Sequence, residues 1–413
     1  MKKAISCLLV VILLCSLVVA LFACDADELK KLTYIDENGN EVRINIAKTS
    51  DVDEVSQSLL ALGEKPIDRS KLTSLLFTLI GSAGMSGTQN DIPFEFGLSG
   101  TSEFGINLGQ DPNTTTFLEF LEAMDLYYHT DVKGTIPKNF LFKVDEEGDD
   151  GKVDFLDQRE CNISANLFFN KFVLYAKASM SDMLTQFAKK YFYGIEKIKD
   201  NYGYIAFGTF TSIIEGYINM DNATEILKVV RSSDSYINTS IKILQIEDKL
   251  EKVEGDESNA SIKARLYPQV KECVKAFNVQ FIKTKGSKFT ISFHLTKAAV
   301  EYMSTLIPIT ASYLEGFDGD SYFELTMDAK NMIDTELVYD ITDMLTFLAG
   351  KLETDSSVII NSTYATGVAT LTANTKIPKM ANDDIPNAKE INVIDLLGLI
   401  PPVYKLISNL TAN

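Results

Sequence analysis

Histidine, cysteine and clustered carboxylates carry most protein chemistry, and this chain places them sparsely. Its two histidines, His129 and His294, lie on the polar phase of alternating stretches, and neither has a cysteine or acid at metal-ligand spacing. Both read as solvent-facing side chains. The acidic run Asp145-Glu146-Glu147-Gly148-Asp149-Asp150-Gly151 offers the oxygens that a hard cation needs. In the register that puts Gly151 at the obligatory glycine, however, Gly148 falls on a ligand position, so the run reads as a solvated turn. Gly-x-Ser-x-Gly, Ser-x-x-Lys and a glycine-rich phosphate loop are absent. A carboxylate pair for glycoside hydrolysis cannot be selected from 57 acidic residues. The expectation is a protein that is not an enzyme and uses no metal or cofactor.

The five cysteines divide by position. Cys7 and Cys15 lie in a leader in which Lys2 and Lys3 precede an apolar run from Ala4 to Ala23, the basic and apolar regions of an export signal. The run closes on Leu21-Phe22-Ala23-Cys24, which resembles the lipobox of bacterial lipoproteins. That resemblance implies cleavage before Cys24 and a lipid-modified Cys24 as the first mature residue. A run of about 20 apolar residues is also long enough to span a bilayer uncleaved. Either fate keeps the lysines inside and holds the chain on the extracytoplasmic face by its N-terminus. Cys161 and Cys273 remain, too few for a disulfide framework. They can pair with each other or stay as buried free thiols.

Net charge is −18, with 39 basic against 57 acidic residues. Such a surface repels phosphate backbones and anionic headgroups, which disfavours nucleic acid and electrostatic membrane docking. The membrane contact expected is therefore the lipid on Cys24. Past the leader, the most apolar stretch, Val393 to Leu410, is interrupted by Asp395, Pro401, Pro402 and Lys405. The chain is long enough to bury a large core in one domain or two.

Residues 1–23 read as the leader, 24–49 as a tether with a hairpin, and 50–413 as the folded body, divisible into two lobes near 215–280. The hairpin spans Leu32 to Ile46 around Asn38-Gly39. Ser50 caps a helix carrying Val52, Val55, Leu59 and Leu62, and a second helix from Asp68 buries Leu72, Leu75, Leu76 and Leu79. Gly81 to Gln89 reads as a loop. Alternation then predicts Phe94 to Leu98 and Phe104 to Leu108 as strands about a turn at Ser99-Gly100-Thr101. After a helix at Phe117 to Glu122 come strands at Met124 to Val132 and Phe140 to Val144. A hairpin from Cys161 to Met180 turns at Asn170-Lys171, and another spans Phe192 to Phe210 around Asp200-Asn201. Helices follow from Asn222, through Ile237 to Leu244, and across Val270 to Phe277. Strands resume at Phe289 to Leu295, and a helix capped by Thr296 ends at Pro308. Hairpins follow at Tyr322 to Ile341 and, turning near Ala365-Thr366-Gly367, at Val358 to Ile377. A last apolar helix starts at Asn392.

This pattern predicts an α+β fold: a curved antiparallel sheet, an open half-barrel, packed against several helices and without doubly wound parallel strands. A tethered N-terminus, a leading amphipathic helix, a long meander, a helical interruption and further strands resemble the LolA/LppX-like lipoprotein and lipid carriers. The stretch Phe289-Thr-Ile-Ser-Phe-His-Leu-Thr296, the helix Lys297 to Leu306 and the Tyr322 to Ile341 hairpin are similar to the later part of such proteins. The resemblance implies an incomplete barrel that wraps helices and keeps an apolar cavity. From the residues themselves, Phe94, Phe96, Phe104, Leu167, Phe169, Phe172, Phe289 and Phe293 are the candidates to line it, because an apolar sheet face must be covered by helices or by a ligand. Either the helices fill that face completely, or room remains for an apolar ligand such as a lipid. The alternative role is a surface module that recognises a protein or a glycan. By intact mass, membrane-extracted protein is expected to start at Cys24 with added acyl chains and Cys24→Ala to lack them; wild-type protein retaining residues before Cys24 rejects this reading.

Overall fold

The computed structural model describes residues 32–35, 41–44, 48–108, 116–138, 154–191, 194–206, 219–247, 256–285, 288–306, 314–328, 333–350 and 357–391. In chain order the strands are β1 (Leu32–Ile35), β2 (Glu41–Ile44), β3 (Pro66–Asp68), β4 (Ser74–Gln89), β5 (Ile92–Asn107), β6 (Asp125–Pro137), β7 (Gln158–Glu160), β8 (Ile163–Asn170), β9 (Val173–Met180), β10 (Gly203–Ala206), β11 (Ser233–Ser235), β12 (Gln280–Lys285), β13 (Lys288–Leu295), β14 (Ser321–Asp328), β15 (Thr335–Asp340), β16 (Val358–Ala373) and β17 (Lys389–Glu390). The helices are α1 (Val52–Glu64), α2 (Phe117–Ala123), α3 (Asp182–Tyr191), α4 (Ile195–Ile198), α5 (Met220–Val230), α6 (Tyr236–Ile246), α7 (Asp256–Ala276), α8 (Lys297–Leu306) and α9 (Thr342–Gly350). One open 13-stranded sheet runs β12-β13-β14-β15-β16-β4-β5-β6-β8-β9-β10-β17, with β7 beside β6. The fold is α+β and the sheet does not close into a barrel. β1 pairs with β2, and β3 with β11, outside it.

The register sorts side chains cleanly between the two faces. Met327, Leu337, Leu371, Phe77, Phe104, Tyr128, Leu167 and Ala176 belong to one face, as do Phe289 and Ile291 at one end and Ile205 at the other. The opposite face carries Thr290, Thr326, Glu336, Thr370, Thr78, Glu103, His129, Asn166 and Lys177. Helices gather on the apolar face, where each buried aliphatic or aromatic side chain contributes about 1.5–3 kcal/mol. Asp51 caps α1 by accepting hydrogen bonds from the Asp53 and Glu54 N–H groups. The stripe Val55, Leu59 and Leu62 then meets Val270 and Val274 of α7 above Phe281, Phe289 and Ile291. Ala299 and Val300 of α8 cover Leu295, while Ile195 and Ile198 of α4 cover Ala176 and Ala178. Thr116 and Glu119 form a capping box on α2, whose Phe120 joins Leu227 of α5 over Met124, Ile106 and Phe169.

The main departure from the sequence reading is β4. Leu72, Leu75, Leu76 and Leu79 have helical spacing, yet Leu75, Phe77 and Leu79 also alternate, and ladders with β5 and β16 run along the whole strand. Tertiary pairing overrode the helical spacing, which fits all four leucines, in favour of an alternation that only Leu75 and Leu79 of the four share. Gly81 to Gln89, read as a loop, completes the same strand: a Cβ on Gly87 would stand 2.1 Å from the Ile359 carbonyl oxygen, so the glycine is there for close packing. Ser99-Gly100-Thr101 and Ala365-Thr366-Gly367 lie in mid-strand of β5 and β16, not at turns. The turn between β4 and β5 is Asn90-Asp91, both at positive φ, as a two-residue hairpin loop requires. Lys171-Phe172, also at positive φ, makes the β8–β9 turn one residue later than expected and leaves the strand phase unchanged. The first arm of the Phe192 to Phe210 pair is the helix α4, and β12 was not anticipated.

Among the described strands one pairing, β10 with β17, is parallel, and an isolated bridge joins Ala178 to Lys199 in the same sense, contrary to the all-antiparallel expectation. After β16 the chain crosses the polar face of the sheet: Ile377 packs against Gly105, and Lys379 pairs with Asp125 at 2.9 Å. It reaches the far edge as β17, where Lys389 and Glu390 lie parallel to Gly203 and Tyr204. A strand that arrives by crossing, rather than by a hairpin, is free to take either direction. Phe140 to Val144, the acidic turn at 145–151 and the helix from Asn392 lie outside the described residues. In urea unfolding, Phe289→Ala is expected to cost about 3–5 kcal/mol. Phe104→Ala, the same deletion at a 43 % exposed site on the same face, is expected to cost under about 1 kcal/mol; equal losses would contradict this burial pattern.

Candidate functional site

Seven of the eight candidate cavity residues share the helix-covered face: Phe94, Phe96, Phe104, Leu167, Phe169, Phe289 and Phe293. Phe172 sits in the β8–β9 turn with its ring edge-on to Phe169. They fall in separate packing clusters. Phe94 and Phe96 stack on the buried Phe155, with ring centres 4.8 and 6.0 Å apart. Phe289 packs on Phe281 beneath α1 and α7, and Phe293 stacks on Phe323 at 4.9 Å. Leu167 joins the cluster under α4, and Phe169 the one under α2. Helices therefore fill most of the face, and Phe104 alone of the eight is left exposed.

Phe104 borders the part that they leave open. It pairs across strands with Phe77, and the two are 43 % and 40 % exposed. The next rows along the strands carry Leu79 opposite Ser102, then Gly81 between Gly367 and Gly100. Small residues at one height on three adjacent strands lower the floor of the sheet. Above that floor lies a recess of about 240 Å³ lined by Leu79, Ala83, Leu98, Val132, Tyr339 and Ile341, among others. Tyr339 reaches across from β15, its hydroxyl within 2.8 Å of where a Cβ on Gly81 would stand. No lining residue is charged. The Ser102 hydroxyl is satisfied by Thr130 at 2.8 Å. Such a site takes apolar matter and offers little to an ionic group. Sequence reasoning misses this floor because Gly81, Gly100 and Gly367 become neighbours only through the register, and Gly100 and Gly367 stand in stretches that look like turns.

Elsewhere the reactive groups are dispersed. His129 Nδ1 lies 3.0 Å from Asn166 Oδ1, and His294 Nδ1 lies 2.9 Å from Asp320, both half-buried on the polar face. Among the described residues no three His, Cys, Asp or Glu side chains converge as metal ligands. On the polar face Tyr127 donates to Glu103 at 2.9 Å, and burial, with that carboxylate, pushes its phenol up. Burial opposes ionisation of Asp125, but hydrogen bonds from Lys379 and Asn170 outweigh it and hold the carboxyl below its usual range. Cys161 and Cys273 are free thiols, the first packed with Met85 and Phe96, the second on α7. Burial raises both, Cys273 to about 11. Cys24 lies outside the described residues. Among the described residues no helix is long and apolar enough to cross a membrane.

No protein-family model matches the chain, and no curated protein matches it significantly. The thiols supply a direct check on the packing. Because a raised pKa leaves less thiolate at a given pH, both cysteines of the mature Cys24→Ala chain are expected to react with a disulfide reagent at pH 8 far more slowly in the native state than in denaturant. Native labelling at the denatured rate would show that these clusters are open.

Proposed function

We propose that this protein is a non-enzymatic lipoprotein, tethered by Cys24 to the extracytoplasmic face of a bacterial membrane, that binds an apolar ligand such as a lipid between its sheet and its helices. The observation that carries this reading is the uncharged recess beside Phe77 and Phe104, the stretch of apolar face that the helices leave open. Exposed aromatics next to a recess are costly in water, and each methylene buried there contributes about 0.8 kcal/mol. A second support is the arrangement itself. One open sheet carrying its helices on the apolar face is the form expected from the resemblance to LolA/LppX-like carriers, where a cavity lies between the two layers.

Lipid content after purification tests it. Protein purified from membranes in mild detergent and then extracted with organic solvent is expected to yield lipid above the level of an unrelated lipoprotein, by mass spectrometry. Phe104→Lys and Phe77→Lys place a charge one row along the strands from the lining residues Leu79 and Ser102, where exposure spares the core, and each is expected to remove the bound lipid while changing the unfolding free energy by less than about 1 kcal/mol. Lipid at control level, or lipid retained in both folded variants, overturns the proposal.

A further inference from the structure

The outer, polar face of the sheet carries a second feature, three of whose residues, Ser82, Ser99 and Thr366, also border the recess. β4 and β16 are both 16 residues long, pair at the centre of the sheet, and contain no charged residue. Towards the outer face they present mainly serine, threonine and glycine. Tyr364 stands among these. If Gly84 carried a Cβ, that atom would lie 2.6 Å from the Tyr364 Cε1 and hydroxyl, and a Cβ on Gly97 would lie 2.7 Å from the same hydroxyl. The side chain therefore lies down across β4 and reaches β5, with two glycines as its seat. Its other side meets solvent, and the residue is 44 % exposed.

We propose that this strip is a binding site for a neutral polysaccharide, with the Tyr364 ring as its platform. A pyranose ring presents a flat face of C–H groups carrying partial positive charge, which complements the negative face of an aromatic ring. The hydroxyls around the pyranose edge need donors and acceptors, and Ser82, Ser86, Ser99, Ser362 and Thr366 flank the platform in the register. Ser86 and Ser362 bond each other at 2.7 Å, and a hydroxyl so engaged still has capacity to accept. Charge selects the class of glycan. The strip is neutral, while Glu95 and Glu103 on β5 and Glu336 and Asp340 on β15 border it; Lys133, opposite Ser99 on β6, is paired with Asp131 at 3.0 Å, so the border is acidic on balance and disfavours an anionic polymer. Ile80 and Ile359, 54 % and 58 % exposed, continue the same face on either side of the tyrosine. From Ile80 to Thr88, the partner of Ile359, the strip runs about 27 Å, long enough for several sugar units.

Titration calorimetry of the mature Cys24→Ala chain with cellohexaose, chitohexaose and maltohexaose, with polygalacturonate as the anionic control, tests the proposal. At least one neutral hexasaccharide is expected to bind with Kd of about 0.1–1 mM, and polygalacturonate not to bind. Tyr364→Ala should weaken binding at least about tenfold, and Tyr364→Phe should hold it within about threefold, since the ring face carries the contact. Ser82→Glu, which sets a charge beside the platform without touching its seat, should also weaken binding and covers the case in which Tyr364→Ala melts early. Phe104→Lys, on the opposite face, should leave sugar binding unchanged, which separates this proposal from the lipid reading. No binding by any of the three hexasaccharides, unchanged binding by Tyr364→Ala or Ser82→Glu in folded protein, or a preference for polygalacturonate overturns it; a Tyr364 that serves only to cover glycines predicts the first of these.

Discussion

An open sheet with one continuous apolar face must hide that face from water, and the rest of this structure follows from how that is done. A barrel would roll the face inward and close on itself. Here the two edges never meet, and helices cover the face instead. Among the described residues every helix but the 21-residue α7 has 13 residues or fewer, so each covers only a part, and the core divides into separate clusters rather than one continuous mass. The recess is what remains between them, at the height where the strands carry glycine and alanine.

The fold class was legible because alternation is a strong signal wherever one face is buried. Phe289 to Leu295 and Cys161 to Met180 were placed on the correct face even where a turn was one residue out, since a shift of the loop alone does not change strand parity. The errors were of another kind. Three of them, at Gly81 to Gln89, at Ser99 to Thr101 and at Ala365 to Gly367, treated small residues in mid-strand as places where the chain turns. In isolation such residues do favour turns. What fixes them as strand is pairing between segments far apart in sequence, and the tyrosines that lie across them, neither of which has a local signature. The candidate site suffered for the same reason: the aromatic residues chosen for it were conspicuous and are mostly core, whereas the floor of the recess is built from residues that look like punctuation.

The glycines also connect the two faces. Gly81 and Gly367 make room for Tyr339 on the helix side, and Gly84 and Gly97 make room for Tyr364 on the other. Alternation along β4 sends Gly81 and Gly84 to opposite sides within a single turn of the pleat. One stretch of strand thus supports an apolar recess on one surface and a flat, hydroxyl-rich strip on the reverse, and the sheet separates them by the thickness of its own backbone.

The central ladder joins the beginning of the folded body to its end: Gln89 pairs with Val358, and Leu75 with Ala373. While the chain is being made, β4 has β5 on one side and nothing on the other until the last strands arrive. Its free edge is then long, flat and without the charged or proline guards that sheet edges usually carry. The lack of charge that suits a strand at the middle of a finished sheet is, in the half-made one, an invitation to pair with the wrong neighbour. A fragment ending before residue 357 lacks β16 altogether and leaves that edge of β4 bare.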